Sequence, residues 1–139
     1  MSAPSTDRRS KIVMAVDDQA ETLLLIQGIV EAAGFSFVGA RRGREAISLT
    51  DRMMPRLILL DIQMPYVNGF DTCRQLRANP SLRTVPIAFL TARKTAEDVT
   101  AGLKAGGNDF IVKPFDPGKL IERIEYWLSR RVSAGPSVC

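Results

Sequence analysis

Histidine is entirely absent from the 139 residues of this sequence. The absence excludes histidine-ligated zinc, a Ser-His-Asp triad and any acid–base step that uses an imidazole of the chain itself. Only two cysteines occur, Cys73 and Cys139, and their spacing is not that of a metal site. We therefore expect two free thiols and a reducing, cytoplasmic location.

Aromatic residues make up only 6% of the chain, and no apolar run approaches the length of a bilayer span. The charged N-terminus is not followed by an apolar stretch, so it does not resemble a signal peptide. The net charge of +4 comes from scattered basic residues without interleaved aromatics. We predict no membrane and no direct nucleic-acid contact, and interpret pairs such as Arg41-Arg42 as solvated surface.

What remains is the composition of one ordinary globular domain, 45% hydrophobic and 24% charged. Residues 1–10 show no periodicity and are predicted to be a disordered N-terminal tail. Residues 11–131 are predicted to form the single domain. Residues 132–139 are predicted to be a flexible tail or the start of a linker.

Within that domain, short apolar runs alternate with segments of helical periodicity. The predicted strands are Ile12–Val16, Phe35–Ala40, Leu57–Leu60, Pro86–Leu90 and Phe110–Val112. The predicted helices are Ala20–Ala33, Gly43–Met53, a segment ending near Ala78, Thr95–Ala105 and Pro117–Arg131. Strands and helices in strict alternation with short connections indicate an α/β sandwich around a parallel sheet.

Polar side chains stand where four of these strands end: Asp17, Asp18, Asp61, Thr91 and Lys113. Because the carboxyl ends of parallel strands meet at one edge of a sheet, we expect these side chains to lie together. Three carboxylates, a hydroxyl and an ammonium suit a hard cation such as Mg²⁺ and a phosphoryl group. The sequence thus predicts a cation and phosphate site at this edge.

Each residue taken singly also has an ordinary structural explanation. An aspartate caps a helix, a threonine favours a strand, and a lysine is commonly exposed. Two adjacent aspartates exceed what capping needs, and a third carboxylate would raise a pKa unless a cation intervened. Asp61, after a buried strand, has the chemistry of a nucleophile that forms an acyl phosphate. The coincidence of all five residues favours the functional interpretation.

These motifs resemble the receiver domain of two-component response regulators, similar to the single-domain chemotaxis and cell-cycle regulators. The resemblance covers residues from about 11 to 131. It is carried by VDD (16–18), LLDIQMP (59–65), Asn68-Gly69, LTA (90–92) and GGNDFIVKPF (106–115).

The resemblance implies a flavodoxin-like, doubly wound sheet of order 2-1-3-4-5 with five flanking helices. It implies that Asp61 accepts a phosphoryl group from a histidine kinase or a histidine phosphotransfer protein. Asp17, Asp18, Asp61 and the backbone carbonyl of Gln63 would hold Mg²⁺. Lys113 would pair with the phosphoryl group.

The resemblance further implies a switch, in which Thr91 moves to the phosphoryl group and Phe110 swings inward. The surface of the fourth helix, fifth strand and fifth helix would then control a partner or output domain, or a homodimer. Gln63 and Arg93 would tune the phosphoryl lifetime.

Two alternatives remain open from the residues. An Mg²⁺-dependent aspartyl phosphatase typically has an acid two residues after its nucleophile, where this chain has Gln63. A scaffold that is never phosphorylated would not need the complete set of site residues. We expect the chain to be a phosphoacceptor rather than an enzyme.

Overall fold

The computed structural model describes residues 8–64, 68–92 and 94–132. Five parallel strands alternate with five α-helices, and a short 3₁₀ turn at Pro80–Leu82 precedes the fourth strand. The strands are β1 (Ile12–Val16), β2 (Ser36–Ala40), β3 (Leu57–Asp61), β4 (Ile87–Thr91) and β5 (Asp109–Val112). The helices are α1 (Ala20–Ala32), α2 (Gly43–Leu49), α3 (Gly69–Arg77), α4 (Ala96–Ala105) and α5 (Pro117–Leu128).

The strands form one sheet in the order β2-β1-β3-β4-β5. The predicted strand order, parallel pairing and five flanking helices are therefore confirmed. β3 lies at the centre, and all of its residues are buried, as expected for an apolar strand covered on both faces.

Alternate residues of each strand enter two separate cores, one on each face of the sheet. On β1, Met14 and Val16 pack in the core with α2, α3 and α4. Val13 and Ala15 pack in the core with α1 and α5. The period-2 alternation of a strand thus supplies both faces from one apolar run.

Polar side chains and glycines set several helix ends. Asn68, Thr95 and Asp116 each cap a helix by accepting a hydrogen bond from the backbone N–H three residues later. Gly34, at φ 93°, follows the end of α1, where the sequence predicts a stop.

Two helices are shorter than predicted. α2 ends at Leu49 instead of Met53, and the next backbone bonds are of the tighter i→i−3 kind, from the Asp51 N–H to the Ser48 carbonyl and from the Arg52 N–H to the Leu49 carbonyl. α5 ends at Leu128 instead of Arg131. Beyond it, the N–H of Val132 bonds to the carbonyl of Thr84, which draws the chain away from the helix axis.

Part of the predicted N-terminal tail contacts the domain. The Arg8 guanidinium donates to the carbonyl of Ala33 and to Glu125, and it lies 4.6 Å from the centre of the Phe35 ring. Residues 1–7 and 133–139 lie outside the described residues, so the remaining tail predictions stand as predictions. Among the described helices, none has the length and apolar character needed to cross a membrane.

Candidate functional site

Strand register brings the predicted site residues side by side. Val16 is level with Leu60 across β1 and β3, so Asp17 and Asp61 are adjacent. Thr91 is level with Val112 across β4 and β5, which places Lys113 one residue beyond. The carboxyl edge of the sheet therefore collects every strand-end residue that the sequence indicated.

The three carboxylates form one cluster. Asp17, Asp18 and Asp61 each offer an oxygen atom, and these atoms lie within 4.8 Å of one another. Asp17 is fully buried and Asp61 is 5% exposed, whereas Asp18 is half-buried at the rim. Closely spaced carboxylate oxygens, open to solvent on one side, fit a hard divalent cation that keeps some of its waters.

Lys113 is the cation within this cluster. Its Nζ donates to Oδ2 of Asp17 at 2.7 Å and lies 3.6 Å from Oδ1 of Asp61. The resemblance assigned Lys113 to a phosphoryl group, and here its closer partner is Asp17. Among the described residues of the cluster, this one ammonium offsets only part of the charge of the three carboxylates.

The environment of Asp61 opposes its ionised form. Burial is the largest cause and raises the pKa of Asp61 to about 6, and the neighbouring charge of Asp17 adds to the effect. Lys113 and a hydrogen bond from the Gln63 N–H, 3.3 Å from Oδ1 of Asp61, lower that pKa in part. A bound cation would relieve the repulsion and favour the carboxylate.

Both carboxylate oxygens of Asp17 have partners within the protein. Its Oδ1 accepts a hydrogen bond from the backbone N–H of Gln19 at 2.9 Å, which supports the turn into α1. Its Oδ2 pairs with Lys113. The N-cap residue of α1 is Gln19, so Asp17 stabilises the turn before the helix without being its cap.

Thr91 is buried beside the cluster, at 5% exposure. Its carbonyl accepts a hydrogen bond from the backbone N–H of Lys113 at 2.7 Å, which fixes the end of β5 against β4. The peptide bond from Lys113 to Pro114 is cis.

Phe110 is already buried in this structure. Its ring is 6% exposed and its centre lies 5.3 Å from that of Phe89. The backbones of Gly102 and Gly107 leave room for these rings, since a methyl group on Gly102 would collide with both rings and one on Gly107 with Phe89. The inward position that the resemblance assigned to the switched state is thus the position observed here.

Gln63 and Arg93 were predicted to tune the phosphoryl lifetime. The Gln63 side chain is exposed, two residues after Asp61 in the chain. The ligand role of its carbonyl stays a prediction. Arg93 lies outside the described residues.

Arg41 is the residue at this edge that sequence reasoning missed, because a basic pair was interpreted as solvated surface. Its guanidinium donates two hydrogen bonds to the carbonyl of Asp18, at 2.8 and 3.2 Å. The available signal was its place directly after β2, next to the strand that ends in the aspartate pair.

Comparisons with known proteins agree with this geometry. The response regulator receiver domain family matches residues 13–125. Over 124 residues the chain is 36% identical to the DNA-binding response regulator MtrA of Mycobacterium bovis. The aligned segment covers 89% of this chain and 53% of MtrA. The chain thus spans about half the length of the curated relatives that it matches. MtrA is named as a DNA-binding protein, which conflicts with the prediction that no nucleic acid is a partner. That prediction therefore applies only to the domain described here and not to a longer protein that contains it.

Solved structures give the same fold. The chemotaxis protein CheY4 of Vibrio cholerae superposes with a TM-score of 0.82 at 28% identity, over 84% of this chain and 97% of that one. The receiver domain of the sensor histidine kinase PA1611 of Pseudomonas aeruginosa gives a TM-score of 0.79 at 28% identity, over 86% and 98%. The latter carries a magnesium ion coordinated in its active-site cleft.

Proposed function

Because this chain belongs to the response regulator receiver domain family, we propose that Asp61 accepts a phosphoryl group in an Mg²⁺-dependent reaction. The observation that carries the proposal is the buried Asp61 carboxylate, clustered with Asp17 and Asp18 and 3.6 Å from the Lys113 ammonium. A histidine kinase or a histidine phosphotransfer protein is the donor. The donor's phosphohistidine supplies the imidazole that this chain lacks.

The transfer is an in-line displacement at phosphorus. An oxygen of Asp61 forms a bond to phosphorus while the phosphorus–nitrogen bond of the donor breaks. The donor imidazole leaves with that electron pair and is protonated from solvent. The product is an acyl phosphate on Asp61.

The other site residues have positioning and electrostatic roles in this proposal. Asp17, Asp18, Asp61 and the carbonyl of Gln63 would hold Mg²⁺, in keeping with the oxygen-only chemistry of the cluster. A bound cation would supply positive charge to offset that of the phosphoryl oxygens. Lys113 exchanges its contact with Asp61 for a contact with the transferred group.

The signal leaves through α4, β5 and α5. Thr91 moves toward the phosphoryl group, and the Phe110 ring occupies the inward place against Phe89 in the phosphorylated state. Three large apolar or aromatic side chains on these elements are exposed, Leu103 at 57%, Val112 at 42% and Tyr126 at 46%, which suits a contact with an output domain, a partner or a second copy. Gln63 and Arg93 tune the lifetime of the phosphoryl group.

In this proposal the chain is a cytoplasmic phosphoacceptor and not a turnover enzyme. An aspartyl phosphatase needs an acid–base group beside its nucleophile, and Gln63 has no such group. A scaffold that is never phosphorylated gives no reason for a buried cluster of three carboxylates, which is costly unless it binds a cation.

Acetyl phosphate tests the proposal. In Mg²⁺ the wild-type chain should gain one phosphoryl group by intact mass spectrometry and release phosphate slowly. Asp61→Asn, or the wild type in EDTA, should gain none. Asp51→Asn, which removes an exposed carboxylate in the turn after α2, should behave as wild type.

Two results would contradict this assignment. Continuous release of phosphate over many turnovers would favour the phosphatase. Failure of the wild-type chain to bind Mg²⁺ or to take up phosphate would favour the scaffold.

A further inference from the structure

We propose that Arg41 is a positioning residue for the cation site, acting through the backbone of Asp18; this inference rests on the function proposed above. Nothing in the receiver-domain resemblance assigns a role to this position. The inference starts from the fork of two hydrogen bonds that the guanidinium donates to the Asp18 carbonyl.

The sheet places Arg41 beside the aspartate turn. Val16 and Ala40 are level across β1 and β2, and the N–H of Asp17 donates to the carbonyl of Ala40 at 3.0 Å. Arg41 therefore leaves β2 level with Asp17, one residue before Asp18. The long arginine side chain needs only to cross one inter-strand gap of about 5 Å to reach the turn.

The backbone of Arg41 is itself anchored. Its N–H donates to Oε1 of Glu45 in the first turn of α2, at 2.9 Å. This contact resembles half of a capping box, in which a glutamate reaches back to the N–H at the start of its helix. The backbone that carries the Arg41 side chain is thus held by a hydrogen bond to α2.

Asp18 needs such support more than its neighbour does. Both oxygens of Asp17 have partners, the Gln19 N–H and Lys113. No group in the described part of the chain donates a hydrogen bond to the Asp18 carboxylate. The direction of that carboxylate therefore depends on the backbone of its own residue, which Arg41 holds.

Two effects of Arg41 on Mg²⁺ have opposite signs. Its positive charge repels the cation, and the repulsion is weak because the guanidinium is exposed to solvent. Its hydrogen bonds keep Asp18 aimed at the cluster, and loss of an outer-shell partner commonly lowers metal affinity about 10- to 100-fold. The contact of Arg41 is to a backbone carbonyl at the rim and not to a ligand side chain. We therefore expect its removal to lower the Mg²⁺ affinity about threefold to tenfold, at or below the lower end of that range.

Arg42 provides a matched control on the next residue. Its side chain is also exposed, and although Arg42 is the N-cap residue of α2, its side chain makes no capping hydrogen bond there. Arg41→Met and Arg42→Met remove the same charge, and each retains an apolar stem. Only the first removes the fork on Asp18.

The test is Mg²⁺ affinity by isothermal titration calorimetry, together with the thermal midpoint of each variant in EDTA. Arg41→Met should bind Mg²⁺ about threefold to tenfold more weakly than wild type, with Arg42→Met at or slightly above wild-type affinity. Arg41→Lys keeps the charge and a single donor, and should fall between Arg41→Met and wild type. The metal-free midpoints should agree.

Mg²⁺ binding by Arg41→Met that equals or exceeds that of Arg42→Met would overturn the positioning role. A lower metal-free midpoint for Arg41→Met that accounts for its weaker binding would also overturn it. If the wild-type chain did not bind Mg²⁺, the proposed function itself would be contradicted. If the wild-type chain bound Mg²⁺ and Arg41→Met bound it equally well, only the positioning role of Arg41 would be contradicted.

Discussion

At the scale of the residue, the central fact is the poor solvation of the Asp61 carboxylate. Burial and the neighbouring Asp17 together raise the pKa of Asp61 from 3.8 to about 6. The folded chain therefore binds a proton at Asp61 more tightly than the unfolded chain does. As the pH rises from 3.8 to about 6, the free energy of unfolding therefore falls, because the unfolded chain loses this proton more readily than the folded chain. At neutral pH the ionised Asp61 thus reduces the stability of the fold.

Asp61→Asn should therefore stabilise the metal-free protein at neutral pH. Each unit of pKa shift corresponds to about 1.4 kcal/mol in the free energy of unfolding. Because the site can relax around the charge, we expect a gain in stability of only about 1–2 kcal/mol. The gain should shrink toward zero below pH 3.8, where Asp61 is protonated in both states. Denaturant unfolding in EDTA at several pH values measures it.

Two comparisons make this prediction specific. Asp51→Asn removes one exposed negative charge and should leave the pH dependence unchanged. Saturating Mg²⁺ should stabilise the wild type more than Asp61→Asn, because the cation binds the ionised cluster. A loss of stability in metal-free Asp61→Asn at neutral pH would contradict this account.

At the scale of the element, glycines decide how α4 and β5 pack on β4. The sequence places Gly102, Gly106 and Gly107 close together. The structure gives them separate roles. Gly106 ends α4 at φ 105°, while Gly102 and Gly107 make room for the rings of Phe89 and Phe110.

Gly107→Ala should destabilise the protein by about 1–3 kcal/mol, the usual cost of overpacking a core. The new methyl group would collide with the Phe89 ring, which is fully buried. Adding Phe89→Leu to this variant should recover part of the loss. Denaturant unfolding of the single and double variants measures both.

Gly28→Ala is the control of opposite sign. Gly28 lies within α1, and a methyl group there would meet no atom within 4 Å. Alanine should therefore stabilise the helix by about 0.5–1 kcal/mol through its better helix propensity. Equal effects of the two substitutions would contradict the packing role of Gly107.

These glycines show where prediction from sequence ends. The pattern of apolar runs was sufficient to predict all five strands, because each is a short, mostly apolar run and β1, β3 and β4 are buried on both faces. The contact between Gly107 and Phe89 joins residues 18 positions apart in the sequence and depends on how β4, α4 and β5 pack. No local pattern encodes such packing, so the roles of these glycines emerged only from the structure.

At the scale of the whole molecule, the paired strands β4 and β5 connect the site with the proposed output surface. Thr91 and Lys113 end β4 and β5 at the carboxylate cluster. Two residues before Thr91, Phe89 packs against Phe110 of β5. A change at the cluster therefore has a short, continuous route through packed groups to α4 and β5.

The site could be predicted from the sequence because its residues stand at strand ends, and parallel strands bring those ends to one edge. Arg41 could not be predicted in the same way. Its contact is to the backbone carbonyl of Asp18, and a backbone acceptor leaves no trace in side-chain identity. The pairing of Lys113 with Asp17 likewise depended on distances that only the structure provides.

The most direct test of the account is to locate the phosphoryl group after reaction with acetyl phosphate. Borohydride reduction of an aspartyl acyl phosphate, followed by peptide mass spectrometry, identifies the modified residue. The account predicts modification of Asp61 alone, and only when Mg²⁺ is present. Modification of Asp17 or Asp18 instead, or equal modification of Asp61 in EDTA, would contradict it.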